Sequence, residues 1–178
     1  MEAMLRENIA LLSRTPGALD ALLRGLPGTW TSHNEGGDTW TVFQILGHLV
    51  HCERNDWMTR ARIILDSGTL RTFPALNRTA SFESIEGRSL DQLLDEFTTA
   101  RSESLTSLEA LHLGEKELTL EGTHPAFGAV TLGQLLSTWT THDLTHLHQI
   151  ARVMAYQRRE AVGPWKQYLG VLKAAVPS

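Results

Sequence analysis

The stretch from Thr131 to Glu160, TLGQLLSTWTTHDLTHLHQIARVMAYQRRE, limits the fold of this chain more than any other. Leu132, Leu135, Trp139, His142, His146, Ile150 and Val153 recur at steps of three and four residues, the period of one helix face. The pattern predicts one long amphipathic helix, whose apolar stripe must be buried against partner helices. Two histidines occupy stripe positions where Leu or Ile would ordinarily stand. At i and i+4 their rings project on the same side, one turn apart, so a single ion can take a nitrogen from each.

The rest of the chain supplies the partners. Met1 to Arg14 reads as a short amphipathic helix. A second start is expected at Thr15-Pro16, with Thr15 as N-cap and Pro16 at the first helical position. Leu19, Leu22, Leu23 and Leu26 form its buried side, and Pro27-Gly28 stops it. Thr29 to Asp38 is polar and holds Gly36-Gly37, the mark of a loop. Thr41 and Gln44 have the spacing of a capping box, and the helix they open is expected to run unbroken to about Asp66. Ser89 and Gln92 repeat that spacing ahead of Leu90, Leu93, Leu94, Phe97, Leu105 and Leu108. Thr131 and Gln134 repeat it again at the start of the long helix.

Two connections are long. Thr69 to Arg88 is unusual between helices of a tight hairpin and is expected to cross an end of a bundle, or its length. Glu115 to Val130 reads as irregular, since the one strand-like run, Glu117 to Leu120, is too short for a sheet. Gly163-Pro164 closes the long helix, and Trp165 to Lys173 reads as a last short one. The fold class is therefore all-α, a bundle of four main helices. With 178 residues and 42% apolar composition, one domain spanning residues 1–178 is expected.

Charge and cysteine content narrow the function classes. The net charge is −4, and no block of Lys or Arg forms a patch, so nucleic acid and anionic membrane gain no support as partners. No stretch approaches the ~18 consecutive apolar residues of a membrane span. The lone cysteine, Cys52, cannot form an internal disulfide, and the first residues lack the apolar core of a signal peptide. A cytoplasmic protein is the expectation.

Eight histidines are present, five of them in the two long helices: His48, His51, His142, His146 and His148. A buried imidazole needs partners for two nitrogens. A metal ion satisfies two such rings at once, and His48 is the best-placed third ligand. Three histidines with an open position are the arrangement of a catalytic metal site rather than a closed structural one. His51 and His148 are read as lying outside the ligand set, His124 as a loop residue, and Cys52 as core. Asp56 and Arg60 are read as a solvated i,i+4 pair. The competing reading is a metal-free core of satisfied histidines.

Two motifs together resemble the DinB-like (DNA-damage-inducible) superfamily. One is Trp40-Thr-Val-Phe-Gln-Ile-Leu-Gly-His48-Leu-Val-His-Cys-Glu53 followed by Asp56-Trp57 and Arg60. The other is Gly122-Thr-His-Pro-Ala-Phe-Gly128, then Thr131-Leu-Gly-Gln-Leu-Leu, His142-Asp-Leu-Thr-His146 and Gln149-Ile-Ala-Arg152. The resemblance implies a four-helix bundle with an up-down-down-up path, shared with thiol-dependent S-transferases and maleylpyruvate isomerases. It implies a divalent metal, typically zinc or nickel, on His48, His142 and His146. It also implies a homodimer, with a small molecule as substrate.

An ion held by three histidines leaves room to activate either a water, for attack on an electrophile, or a low-molecular-weight thiol, for S-transfer. Asp143 and Glu53 are candidate carboxylates for orienting the site or for acid/base work. The rival functional class is a stress-associated binding or scaffolding protein that keeps the metal without chemistry.

Overall fold

A computed structural model describes residues 1–75, 82 and 85–173. The first bundle helix comes in two pieces, α1 (Glu2–Leu12) and α2 (Thr15–Leu23). The second is also in two pieces, α3 (Val42–Asn55) and α4 (Trp57–Ser67). The third is α5 (Leu90–Glu109). A single turn, α6 (Glu115–Leu118), and a hairpin of β1 (Glu121–His124) and β2 (Gly128–Thr131) precede the fourth, α7 (Leu132–Tyr156).

Local sequence sets the helix starts. Thr41, Ser89 and Thr131 each accept a hydrogen bond from the backbone N–H three residues on, and Gln44, Gln92 and Gln134 each reach back to the N-cap amide. All three expected capping boxes are formed. Thr15 behaves otherwise. It lies inside α2, with Arg14 at the cap, and its hydroxyl donates to the Leu11 carbonyl of the preceding helix at 3.5 Å. The short gap between α1 and α2 leaves that carbonyl within reach, so the hydroxyl turns back instead of capping forward.

Side-chain contacts fix the path. Arg24, just past α2, pairs with Asp91 and Asp95 at the start of α5, while the Leu12 carbonyl accepts from Arg101 farther along it. The first helix and α5 are therefore antiparallel. Gly47 abuts Ile85, just before α5, and Glu53 meets Arg101 within it, so α3 and α5 are parallel. His48 faces His146 while Glu53 faces Trp139, so α3 and α7 are antiparallel. The result is the expected up-down-down-up bundle. The parallel second and third helices require a connection that returns the length of the bundle. Part of it, residues 76–81, 83 and 84, lies outside the described residues. Ile85 packs over the outer face of α3, so closely that a Cβ on Gly47 would lie 2.5 Å from its Cγ2. This cover explains why α3 is buried on nearly every side.

Other expectations need correction, among them Leu22, which is 40% exposed rather than on the buried side of α2. The second helix is not continuous. It is distorted at Asp56 (φ −111°, ψ −65°), where α3 ends and α4 begins, and the Asp56 carboxylate pairs with Arg60 at 2.6 Å. That pair is not solvated: Asp56 is 5% exposed. The irregular stretch ahead of α7 contains a hairpin. Its strands pair Glu121 with Thr131 and His124 with Gly128, and its inner face rests on Ile64 and Phe73, where a Cβ on Gly122 would come within 2.7 Å and 2.8 Å. Helix α7 ends at Tyr156, before Gly163-Pro164. The short helix expected over Trp165 to Lys173 is present as 3₁₀ turns at Gly163–Tyr168 and Gly170–Leu172. No helix among the described residues is long and apolar enough to cross a membrane.

The core is divided. One apolar cluster joins Leu12, Trp57, Leu108, Leu132 and Trp139. A second joins Leu19, Ile45, Phe97, Ile150 and Val153. Between them on every bundle helix lie buried polar residues: Thr15, His48 and Glu53, Arg101 and Ser104, Asp143 and His146.

Candidate metal centre

The three imidazoles come from two antiparallel helices. His48 is on α3 and buried, His146 is on α7 and buried, and His142, one turn earlier on α7, is half-buried. His48 Nε2 lies 3.2 Å from His142 Nε2, which lies 3.1 Å from His146 Nε2. One ligand atom from each ring falls within 4.8 Å of the other two.

That spacing suits a cation. With metal–nitrogen bonds of about 2.1 Å, ligand nitrogens stand about 3.0–3.4 Å apart for angles between square and tetrahedral. The donor set points the same way. Gln149 Oε1 accepts from His146 Nδ1 at 2.8 Å, which leaves the His146 Nε2 lone pair facing the other rings. One proton on His142 Nε2 could serve both neighbours only as a shared, bent bond. A divalent ion satisfies three lone pairs together, so the residues fit the group.

Aromatic side chains wall the cluster. Trp40 leans on His48 with ring centroids 5.1 Å apart, and Trp57 stands edge-on to His142 at 5.0 Å. Trp57 in turn stacks on Trp139, with centroids 5.8 Å apart and planes within 9°. Cys52, a core residue as expected, sets its Sγ 3.5 Å from His48 Nε2. His51 and His148 do not join the cluster: His51 bonds with Asn55, and His148 is exposed. His124 closes the hairpin turn, where its Nδ1 accepts from the amides of Ala126 and Phe127.

Glu53 and Asp143 lie in a network that the sequence reading missed. Arg101, on α5 and 1% exposed, grips both oxygens of Asp143 at 2.7 and 3.0 Å and Glu53 Oε2 at 2.9 Å. Trp139 Nε1–H donates to the same Glu53 oxygen at 3.2 Å, and the Leu12 carbonyl accepts from Arg101 Nη1 at 2.8 Å. Burial pushes the Glu53 carboxyl up from its ordinary range, against the opposing pull of Arg101. Burial also pulls the Arg101 guanidinium down, but its bonds to Asp143 and Glu53 prevail and hold it above its ordinary value. A signal was present: the α5 stripe steps from Phe97 to Leu105 and skips a turn, and Arg101 fills the gap.

A family model for the DinB superfamily matches residues 11–150, which includes all three histidines and the Arg101 network. The chain belongs to the DinB superfamily. Among solved structures, this DinB-superfamily chain is similar to YfiT from Bacillus subtilis, with a TM-score of 0.72 over 88% of this chain and 87% of that one, at 19% identity. YfiT is described as a probable metal-dependent hydrolase with an unusual four-helix bundle topology. No curated protein sequence matches the chain.

Proposed function

We propose that this DinB-superfamily protein holds one divalent metal, zinc or nickel, through Nε2 of His48, His142 and His146, and that it is a hydrolase. The observation that carries the reading is the convergence of three imidazole nitrogens at 3.1 and 3.2 Å from two helices. A bound ion of this kind supplies Lewis-acid activation of a water molecule at near-neutral pH. The chain's own groups do the rest. The Nδ1–H to Gln149 contact orients His146 and keeps its Nε2 unprotonated, the usual task of a residue behind a ligand. Trp40 and Trp57 exclude bulk water from two sides, while half-buried His142 marks the side open to solvent. Asp143 and Glu53, held by Arg101, are assigned to support rather than to proton transfer. The description of YfiT as a metal-dependent hydrolase supports water over thiol as the activated group.

The test is elemental analysis of the purified protein, followed by assays of the metal-loaded form. Ester and amide substrates probe hydrolysis. Bacillithiol or mycothiol with monochlorobimane probes S-transfer. Metal-dependent hydrolysis that disappears in His142→Ala is the expected result. S-transfer without hydrolysis would replace the hydrolase with a thiol transferase, and bound metal with neither activity would make the protein a metal-containing binder.

A further inference from the structure

We infer that Arg101 is a positioning residue for the metal centre, setting the register of α3, which carries His48, against α7, which carries His142 and His146. The inference rests on the metal reading above and concerns how the site is assembled.

The ligands divide unevenly between two helices. His142 and His146 share α7, so their spacing follows from the helix itself. His48 reaches them only if α3 keeps its height and rotation relative to α7. Arg101 belongs to neither helix, yet its guanidinium joins them: Nη2 bonds Glu53 of α3 and Asp143 of α7, and Nη1 bonds Asp143 again. Asp143 directly follows His142 in the chain. Glu53 follows His48 by five residues, about 7.5 Å along the axis. The joint therefore sits close behind the site on both helices. A slip of α3 large enough to take His48 out of a bond of about 2.1 Å would also break the bond between Glu53 and Arg101. Trp139 Nε1–H, bonded to the same Glu53 oxygen, adds a second tie between α7 and α3.

Stability does not account for the network. A buried ion cluster roughly breaks even against apolar residues of similar volume. Here two carboxylates share one guanidinium, and Arg101 Nε has no acceptor among the described residues. Apolar packing would hold the helices together as well, but it would fix their sliding less sharply, because a forked guanidinium bond is directional.

The experiment is a cycle of zinc affinities, measured by chelator competition, alongside thermal unfolding of the metal-free proteins. In the triple variant Arg101→Met, Glu53→Gln, Asp143→Leu, no buried charge is left bare and Trp139 keeps an acceptor. We expect it to unfold within a few degrees of the metal-free wild type, yet to bind zinc about ten- to a hundredfold more weakly. Arg101→Lys keeps the charge without the fork and is expected to lose affinity to an intermediate degree. In a His48→Ala background α3 no longer supplies a ligand. The residual affinity of the His142–His146 pair should then be the same with and without the Arg101 changes. Wild-type affinity in the triple variant overturns the inference, as does an equal loss in the His48→Ala background. If the triple variant does not fold, Arg101→Lys carries the same cycle. A wild-type protein that binds no zinc or nickel overturns the metal reading itself, and this inference with it.

Discussion

His48 and His142 are separated by 94 positions in the chain, yet their Nε2 atoms lie 3.2 Å apart. Only the tertiary fold makes that contact, so its dependence on metal can be tested by mutation and by chelation. Stripping the metal should lower the melting temperature. Restoring it at about a hundred times its dissociation constant adds about 2.7 kcal/mol, or roughly 5–10 °C for a chain of this size. His142→Ala should abolish stoichiometric binding, since His142 is the central of the three rings. A His142→Ala protein that still carries one equivalent by elemental analysis would refute the site.

Thr131 caps the helix that carries two of the three imidazoles, and Gln134 reciprocates. Thr131→Ala should cost about 1 kcal/mol. Thr141→Ala, on the exposed side of the same helix, should change stability by less than about 0.5 kcal/mol. Urea unfolding of the two variants, with unchanged slopes, checks the difference.

Gly122 leaves no room for a side chain between Ile64 and Phe73. Gly122→Ala should destabilise the fold by about 1–3 kcal/mol through overpacking. Gly17→Ala, where an added Cβ meets nothing within 4 Å and the position is helical, should be neutral or mildly stabilising. Equal effects from the two substitutions would contradict the packing described here.

His124 should make the hairpin sensitive to acid. Burial lowers its pKa from the ordinary 6.5, and the Arg60 charge adds to the effect. Its Nδ1 must also stay unprotonated to accept from Ala126 and Phe127. Because the folded pKa is the lower one, the unfolded chain takes up the proton first. The stabilising contribution is therefore complete above pH 6.5 and is lost as pH falls through that value toward the lowered one. Amide exchange at Ala126 and Phe127, corrected for its intrinsic pH dependence, should accelerate over this window. It should not in His124→Asn, whose side chain does not titrate there.

Much of this was legible before any coordinates. The capping boxes were, because an N-cap and its partner are three residues apart and need no tertiary help. The His142–His146 pair was, because a polar residue on an apolar stripe stands out against the helical period. The hairpin was not. Its two four-residue strands, Glu-Gly-Thr-His and Gly-Ala-Val-Thr, are too short to show an alternation, and what holds them is the surface of Ile64 and Phe73. The break at Asp56 was hidden for a similar reason, since a sequence does not say that one carboxylate will turn inward to Arg60. Arg101 was overlooked because an arginine at the skipped turn reads as a solvated side chain until its buried partners Glu53 and Asp143 are in view.

The three reciprocal caps make each long helix self-starting. Thr41, Ser89 and Thr131 define where α3, α5 and α7 begin, whatever chain precedes them. Connectors can then lengthen at a cost of only about 0.6 kcal/mol per doubling. Trp40 and Phe82, which meet beside His48, both sit in connectors. The rim around the imidazoles is therefore built from segments whose lengths the helix starts do not fix, so its outline can change while the three nitrogens beneath it keep their places.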